Sequence, residues 1–177
     1  NEIYKLIMAF EKLEGNKRKE FEEALRQLVQ TNFKPMLPKP GEKAMVVKSE
    51  DKSFALVFGA DGIKVKDQHN GANAQIEAED TDLVIAIAGH GAQMFPLPYD
   101  EKKRRNQAYS GTGGKAVAKA KNIAIALGGD GGSYGNCQLD GVYCNIGSPP
   151  SPGTATGGSA EGVFLGFNGQ QGVKHSY

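Results

Sequence analysis

Glycine is distributed very unevenly along this 177-residue chain. Of its 24 glycines, 17 lie in residues 111–177, and only seven of the charged side chains lie there. Glycine loses more backbone entropy on folding than any other residue, and it has no side chain to bury. The segment therefore needs another source of order: a disulfide, a ligand, close backbone packing or neighbouring subunits. We expect neighbouring subunits to supply most of it.

The N-terminal residues predict a helical segment followed by a connector. Apolar residues in 3–13 and again in 21–29 follow the i, i+3, i+4, i+7 spacing of a helix, with Gly15 between the two stripes as a break. Three prolines then end the helix and favour an extended connector. The predicted organisation is a helical segment, a Pro-rich connector and a β-rich domain with a glycine-rich part: residues 1–34, 35–43, 44–177 and 111–177, respectively.

Short β-branched or aromatic runs separated by turn residues predict strands throughout residues 44–177. The pairs Asn70-Gly71 and Asn168-Gly169 are typical of two-residue turns, and each predicts a hairpin. Helical patterns do not alternate with the strands, which argues against a doubly wound parallel sheet. The predicted fold class is α+β, mainly β: an N-terminal helical segment and an antiparallel β domain, either a sandwich or a roll, with a glycine-rich C-terminal half.

Two stretches repeat the order Ile-Ala-Ile-Ala and then run into glycine: DLVIAIAG at 82–89 and the IAIAL of KNIAIALGG at 121–129. Successive side chains of a strand point to opposite faces, so each strand has one bulky face and one alanine face. An alanine face lets another sheet, a helix or a neighbouring subunit approach closely, and we predict that a neighbouring subunit does so. The predicted subunit contacts are the alanines and the strand edges that neighbours would complete: Ala86, Ala88, Ala124, Ala126, Ile123, Ile125, Leu127, Val163, Leu165 and Phe167.

The two cysteines, Cys137 and Cys144, lie on either side of the turn pair Asp140-Gly141. This spacing suits a hairpin bridged by a disulfide, which would indicate an oxidising compartment. Two reduced thiols are the alternative. Without a paired histidine motif, the cysteines do not predict a zinc site, and we expect neither a metal nor a cofactor.

Two resemblances to known families rest on the Ile-Ala stretches. Both stretches are similar in composition to the glycine-rich repeats of secreted and surface proteins and to the coils of trimeric adhesin heads, although they lack those families' regular short repeat. IAIALGGDGG resembles the strand and loop of NAD kinases and diacylglycerol kinases, which implies nucleotide phosphate held by Gly128, Gly129, Asp130 and Gly131. Those families continue with a helix, whereas this chain continues with the turn-rich GSYGNCQLDG.

A third resemblance involves LVIAIAGHGA, which is similar to the strand and His-Gly pair of caspase-like cysteine peptidases. It implies His90 as the general base and Cys137 as the nucleophile. In that family the cysteine directly follows a buried strand. Here GGDGGSYGN separates the strand from Cys137, and Cys144 offers a disulfide partner instead. A small hydrolase of this type is our third functional alternative.

Composition argues against several classes of partner. The net charge of +1 gives no overall field for nucleic acid, and no apolar run is long enough to span a bilayer. We predict a non-enzymatic structural or surface protein: a self-assembling subunit of a filament, sheath, fibre or coat, located outside the cell or on a cell or virion surface. The alternative is an adhesin or glycan-binding module that displays glycine-rich loops.

Overall fold

A computed structural model describes residues 17–100, 105–139, 142–146, 150–157 and 163–175. These residues form one α-helix, one 3₁₀ helix and strands, so the prediction of a mainly β chain with an N-terminal helix is confirmed. The elements are α1 (Lys17–Asn32), the 3₁₀ helix (Lys34–Met36), β1 (Ala44–Lys48), β2 (Phe54–Gly59), β3 (Ala74–Glu77), β4 (Leu83–Ile87), β5 (Phe95–Asp100), β6 (Arg105–Tyr109), β7 (Ala116–Lys119), β8 (Ile123–Leu127), β9 (Tyr134–Leu139), β10 (Val142–Ile146), β11 (Ala155–Gly157), β12 (Val163–Phe167) and β13 (Lys174–His175).

The chain divides into two compact units after Leu37. In the first unit, α1 buries one face, which is made by Phe21, Leu25 and Val29. These residues are four positions apart and therefore lie on one side of the helix. The apolar stripe predicted at 3–13 lies outside the described residues. Among the described helices, none is both long enough and apolar enough to cross a membrane.

The second unit contains two sheets of mainly parallel strands. The central sheet has the strand order β1-β2-β4-β8-β12, and within it only β1 and β2 pair antiparallel. The second sheet, β3-β7-β11, is parallel throughout. The prediction of mostly antiparallel pairing is therefore wrong for these two sheets. Elsewhere in the described part of the chain, antiparallel pairs form two hairpins, β5–β6 and β9–β10.

The parallel pairs come from three successive coils of the chain. Each coil passes through a strand of the second sheet and then through a strand of the central sheet. Leu83, Ile123 and Val163 are in register, so equivalent positions in the central sheet recur every 40 residues. Because coils stack directly on one another, their parallel strands need no crossover helix. We name them the first, second and third coil: residues 69–93, residues 111–133, and residues 150–157 with 163–173.

Two hairpins are inserted between the coils. β5–β6 joins the first coil to the second, and β9–β10 joins the second coil to the third. The two hairpins contact each other, and β13 adds a parallel strand to β9. In β9–β10, Leu139 pairs with Val142, and the two strands run antiparallel. The predicted cysteine hairpin is therefore confirmed.

Small side chains from the two sheets pack together in the core. The alanine face of the central sheet lies against the second sheet in one buried cluster, whose members are Ala55, Val57, Ala74, Ile76, Val84, Ala86, Ala88, Ala116, Ala118, Ala120, Ala124 and Ala126. The face that we expected to meet another subunit therefore meets the chain's own second sheet. The opposite, bulky face is buried as well, and Ile85, Ile125 and Leu127 are fully inaccessible to solvent.

Neither Asn-Gly pair forms the predicted hairpin turn. Asn70 and Gly71 lie in the segment before β3, which pairs in parallel with β7. The Oδ1 atom of Asn70 accepts the N–H of Thr112 at 3.0 Å. In the same way, Oδ1 of Asn168 accepts the N–H of Ala155 at 2.9 Å. Both asparagines use their side chains to bind another segment of the chain, not to reverse its direction.

Candidate functional site

Glycine is concentrated in the segments that enter and leave the strands of the coils. We name the stretches that follow central-sheet strands the trailing segments, and those that precede second-sheet strands the leading segments. Neither kind contains helix or strand. The trailing segments are residues 60–62, 89–93, 129–133 and 169–173, and the leading segments are residues 69–73, 111–115 and 150–154.

Backbone hydrogen bonds join the leading and trailing segments to one another. The Gly89 N–H donates to the Ala72 carbonyl at 3.0 Å, and the Gly114 N–H donates to the Gly89 carbonyl at 2.9 Å. The series alternates between the two kinds of segment through all three coils. Its later donors are Gly129, Gly153 and Gly169.

The direction of the donors repeats every third residue. Gly129 and Gly132 both donate to leading segments, while Gly131 donates to the next trailing segment at Gln170, at 2.8 Å. Asp130, between them, donates to a side chain. Three residues per turn without internal hydrogen bonds is the geometry of a polyproline II helix. The glycine-rich segments therefore share the three-residue repeat of that helix, and their amides bind neighbouring segments.

Only glycine fits the closest positions in these layers. A Cβ on Gly129 would overlap the carbonyl oxygen of Gly89, and a Cβ on Gly153 would overlap that of Gly114. Close backbone contact and paired amides therefore order these segments, which have few side chains to bury. In the described part of residues 111–177, this order arises within the chain, and our expectation that neighbouring subunits supply it is corrected accordingly.

A ladder of side chains runs along one side of the trailing segments. Oδ1 of Asp61 accepts the N–H of His90, and Nδ1 of His90 accepts the N–H of Asp130, both at 2.8 Å. Oδ1 of Asp130 then accepts the N–H of Gln170, also at 2.8 Å. Each trailing segment thus gives the next one a side-chain acceptor. Gln170 is the last rung in the described part of the chain.

The bond to His90 bears on the implied peptidase chemistry. Nδ1 of His90 also lies 3.6 Å from Oδ2 of Asp130. Because Nδ1 accepts a backbone N–H at 2.8 Å, it carries no proton in this arrangement, so the longer contact is not an ion pair. The same hydrogen bond occupies this nitrogen, which is therefore unavailable as a general base.

The GGDG sequence does not form a phosphate-binding loop. All four of its amides donate inside the chain, to Phe167, Gly114, His90 and Gln170 in turn. The segment then continues into β9, so no helix begins there. The kinase resemblance would require free amides and a helix N-terminus to bind the phosphate. The GGDG segment supplies neither.

Cys137 and Cys144 are directly opposite each other in the β9–β10 hairpin. Opposed residues of an antiparallel pair have Cα atoms about 4.5–5.5 Å apart. Disulfides span Cα separations of about 4.4–6.8 Å. The register therefore allows the predicted bridge, and the bridge itself stays a prediction.

A groove of ≈ 460 Å³ opens beside the ladder. Among the residues that line it, Asp61 uses one carboxylate oxygen to accept the His90 N–H, and Gln93 uses Oε1 to accept the N–H of Ser133 at 3.2 Å. Lys64 adds a positive charge to this lining. No group of three or more His, Cys, Asp and Glu residues in the described ranges is arranged to hold a metal ion. The groove suits a small polar ligand.

Three aromatic rings hold the base of the β5–β6 hairpin against the first coil. The His69 ring centroid lies 5.2 Å from that of Tyr109 and 6.0 Å from that of Phe95. Nδ1 of His69 is buried and has no hydrogen-bond partner in the described part of the chain. His69 therefore contributes ring packing here and does not act as a solvated polar residue.

The two ends of the stack of coils differ. At the N-terminal end, the Gly41 N–H donates to the Asp61 carbonyl at 2.7 Å, and β1 covers β2. At the C-terminal end, β12 is the last strand of the central sheet. Phe164 and Val173 are 57% and 72% exposed there. The N–H of Gln171, equivalent to bonded glycine amides of the earlier coils, has no backbone acceptor among the described residues.

Most of the predicted subunit contacts lie inside the chain. Seven are buried: Ala86, Ala88, Ala124, Ala126, Ile123, Ile125 and Leu127. Leu165 and Phe167 are half-buried on β12, and the side chain of Val163 lies outside the described residues. The exposed large side chain of this strand is that of Phe164, which the sequence argument missed. The sequence signal for this residue is its size: Phe164 is in register with Ala124, so a large ring stands where the preceding coil has a small side chain.

Comparison of the chain with family models, with curated proteins and with solved structures finds no match. Function is therefore inferred from the coils, the groove and the exposed third coil.

Proposed function

We propose that this chain is a non-enzymatic structural subunit that assembles with copies of itself through its third coil. The observation that carries the proposal is the uncovered outer edge of β12. The first and second coils are each covered by the coil that follows, and the described residues include no coil after the third. An uncovered strand edge with exposed apolar side chains is a template for pairing with another chain.

The composition of the third coil supports this assignment. Residues 163–173 contain no charged side chain, and Phe164 and Val173 are both more than half exposed. Proteins usually protect an edge strand with charge, as β1 does here with Lys48. Burial of a phenylalanine side chain contributes about 1.5–3 kcal/mol. A second copy placed on the third coil would gain this contribution.

Two further observations support the remaining parts of the proposal. The internal hydrogen bonds of His90 Nδ1 and of the GGDG amides favour a non-enzymatic role, because they occupy one ring nitrogen of the implied base and all the amides of the implied phosphate loop. The proposed location is outside the cell or on a cell or virion surface. It rests on the facing cysteines, since disulfides persist in oxidising compartments.

Light scattering across a concentration series tests the assembly. The wild type should exceed the monomer mass of 18.8 kDa. Phe164→Lys should be monomeric, because pairing would bury an unpaired charge. Val46→Lys is the matched control: Val46 is 55% exposed on β1, at the other edge of the same sheet, and this variant should assemble like the wild type. A wild type that stays monomeric at the highest attainable concentration contradicts the proposal.

The groove supports a second candidate function, a binding module for a glycan or a similar polyhydroxylated ligand. Carboxylate, amide, imidazole and ammonium groups all line it, and together they offer both acceptors and donors to hydroxyl groups. Titration with oligosaccharides should shift the amide resonances of Gly62 and Gly91. Lys64→Ala should weaken that binding, whereas Lys66→Ala, outside the lining, should not. Equal affinities for the two variants would argue against the groove as the site.

A further inference from the structure

We propose that the partner on the third coil is a second copy docked through its own third coil, so that assembly closes as a two-fold dimer. This inference rests on the proposed function and adds the partner's surface and the symmetry. In the docked pair, the two β12 strands run antiparallel and are centred on Leu165.

At the N-terminal end of the stack, the chain covers β2 with its own strand β1. A filament would need the third coil of one copy to bind the N-terminal end of the next. There, the Gly41 N–H donates to the Asp61 carbonyl at 2.7 Å, and the Ala60 N–H donates to the Lys43 carbonyl at 3.2 Å. β1 also pairs with β2 along all of its residues. The chain itself therefore occupies the position next to β2, and an incoming third coil would have to pair with the outer edge of β1.

The charge at the two ends of the stack also favours pairing at the third coil over pairing at β1. At the N-terminal end, Lys43 precedes β1 and Lys48 is its last residue, whereas residues 163–173 carry no charge. Lysines on an edge strand oppose further pairing, because their charge would lose solvation. Two uncharged edges meet without this cost and without like-charge contact. The third coil is therefore a better partner for another third coil than for β1.

The side chains of β12 favour one register. Antiparallel pairing centred on Leu165 places Phe164 opposite the partner's Gly166. Both positions are exposed, and residues two apart in a strand share one face. A large ring across an antiparallel pair from a glycine covers the exposed backbone of that glycine. The two-fold axis makes this contact twice. A register centred on another residue does not place Phe164 opposite Gly166.

Disulfide trapping tests the arrangement. A residue on a two-fold axis lies opposite itself, so Leu165→Cys should cross-link under mild oxidation to twice the monomer mass of 18.8 kDa. Val46→Cys, at the other edge, should remain monomeric on the same non-reducing gel. If Leu165→Cys does not fold, a mixture of Phe164→Cys and Gly166→Cys should cross-link, while neither variant alone should. Light scattering of the wild type should reach the dimer mass and stop there.

Each other outcome rejects a defined part of the argument. A wild-type mass that rises past the dimer, with cross-links only between Leu165→Cys and Val46→Cys, overturns the two-fold arrangement and leaves self-assembly standing. A dimer that none of the β12 cysteines can trap overturns docking through this strand. A wild-type monomer overturns both the arrangement and the proposed function.

Discussion

Gly129 lies at a point where three coils meet through their backbones. Its N–H donates to the Gly114 carbonyl at 2.9 Å, and its carbonyl accepts the Gly153 N–H at 2.8 Å. The position of a Cβ is taken by the Gly89 carbonyl oxygen. In most protein interiors, packed apolar side chains supply the attractive contacts. Here amide hydrogen bonds and backbone contact supply them, and an added methyl group has no space.

Gly129→Ala should therefore lower the free energy of unfolding by about 3 kcal/mol or more, the upper part of the range for overpacking. Urea denaturation measures the change. Gln170→Ala is the control in the adjacent trailing segment, because Gln170 is exposed, and its effect should stay below about 0.5 kcal/mol. Similar losses for the two variants would show that the glycine contacts do not limit stability.

A surface ion pair offers a second residue-scale prediction. Nζ of Lys52 lies 2.7 Å from Oδ2 of Asp80, and its hydrogen bond and charge hold the pKa of Asp80 below its usual value. We expect Lys52→Met to raise the pKa of Asp80 in an NMR titration. The pKa of Asp51 should stay low, because hydrogen bonds from Ser53 and then Ser49 lower it.

The sign of the pH effect follows from this shift. Since the folded pKa of Asp80 is lowered, the pair stabilises the chain above the unfolded-state pKa. That contribution is lost as the pH falls through the folded pKa, and both side chains are exposed, so the loss is small. A pKa of Asp80 that is unchanged in Lys52→Met would contradict the assignment of its cause.

At the scale of elements, local signals predicted the strands and the cysteine hairpin, but not the pairing of the coils. The central-sheet strands of successive coils pair with residues 40 positions away, and inserted hairpins separate the repeats. The Asn70-Gly71 pair led to a wrong prediction of a hairpin turn. Asn70 instead binds Thr112 through its side chain, and position 71 requires glycine because a Cβ would overlap the Gly89 carbonyl. The recurrence of an apolar strand followed by glycine was visible in the sequence, but we interpreted it as a subunit contact, whereas it indicates stacked repeats. The exposed edge of β12 could not be predicted without knowing the order in which the coils stack.

The β9–β10 hairpin carries its own prediction. If Cys137 and Cys144 form a disulfide, the intact mass should rise by two hydrogens on reduction. Before reduction, no thiol should react with an alkylating agent. The short closed loop should contribute roughly 2–3 kcal/mol. Serine in both positions should therefore lower the free energy of unfolding by that amount under oxidising conditions and not under reducing ones. Two reactive thiols in the native protein would remove the support for an oxidising compartment.

For the whole molecule, the covered and uncovered ends predict a gradient of local stability. Stacked coils are stabilised by their neighbours, so an uncovered terminal coil opens most easily. In monomeric Phe164→Lys, the amides of Gly114 and Gly129 should exchange slowly with solvent hydrogen, and those of Gln170 and Gln171 quickly. In the assembled wild type, protection should extend into the third coil. Protection that is uniform in the monomer would show that the third coil needs no partner.

The backbone-bonded layers also have a calorimetric consequence. Unfolding exposes apolar surface, which raises the heat capacity by about 0.45 cal/mol/K per Å², and polar surface, which lowers it by about 0.26. Layers made of glycine release mostly peptide groups, so this chain should have a heat-capacity increment below the usual ~12–15 cal/mol/K per residue. Scanning calorimetry of the monomeric variant measures it. A small increment flattens the stability curve, and the folded coils should then persist over a wider span of temperature, in the cold as well as in the heat.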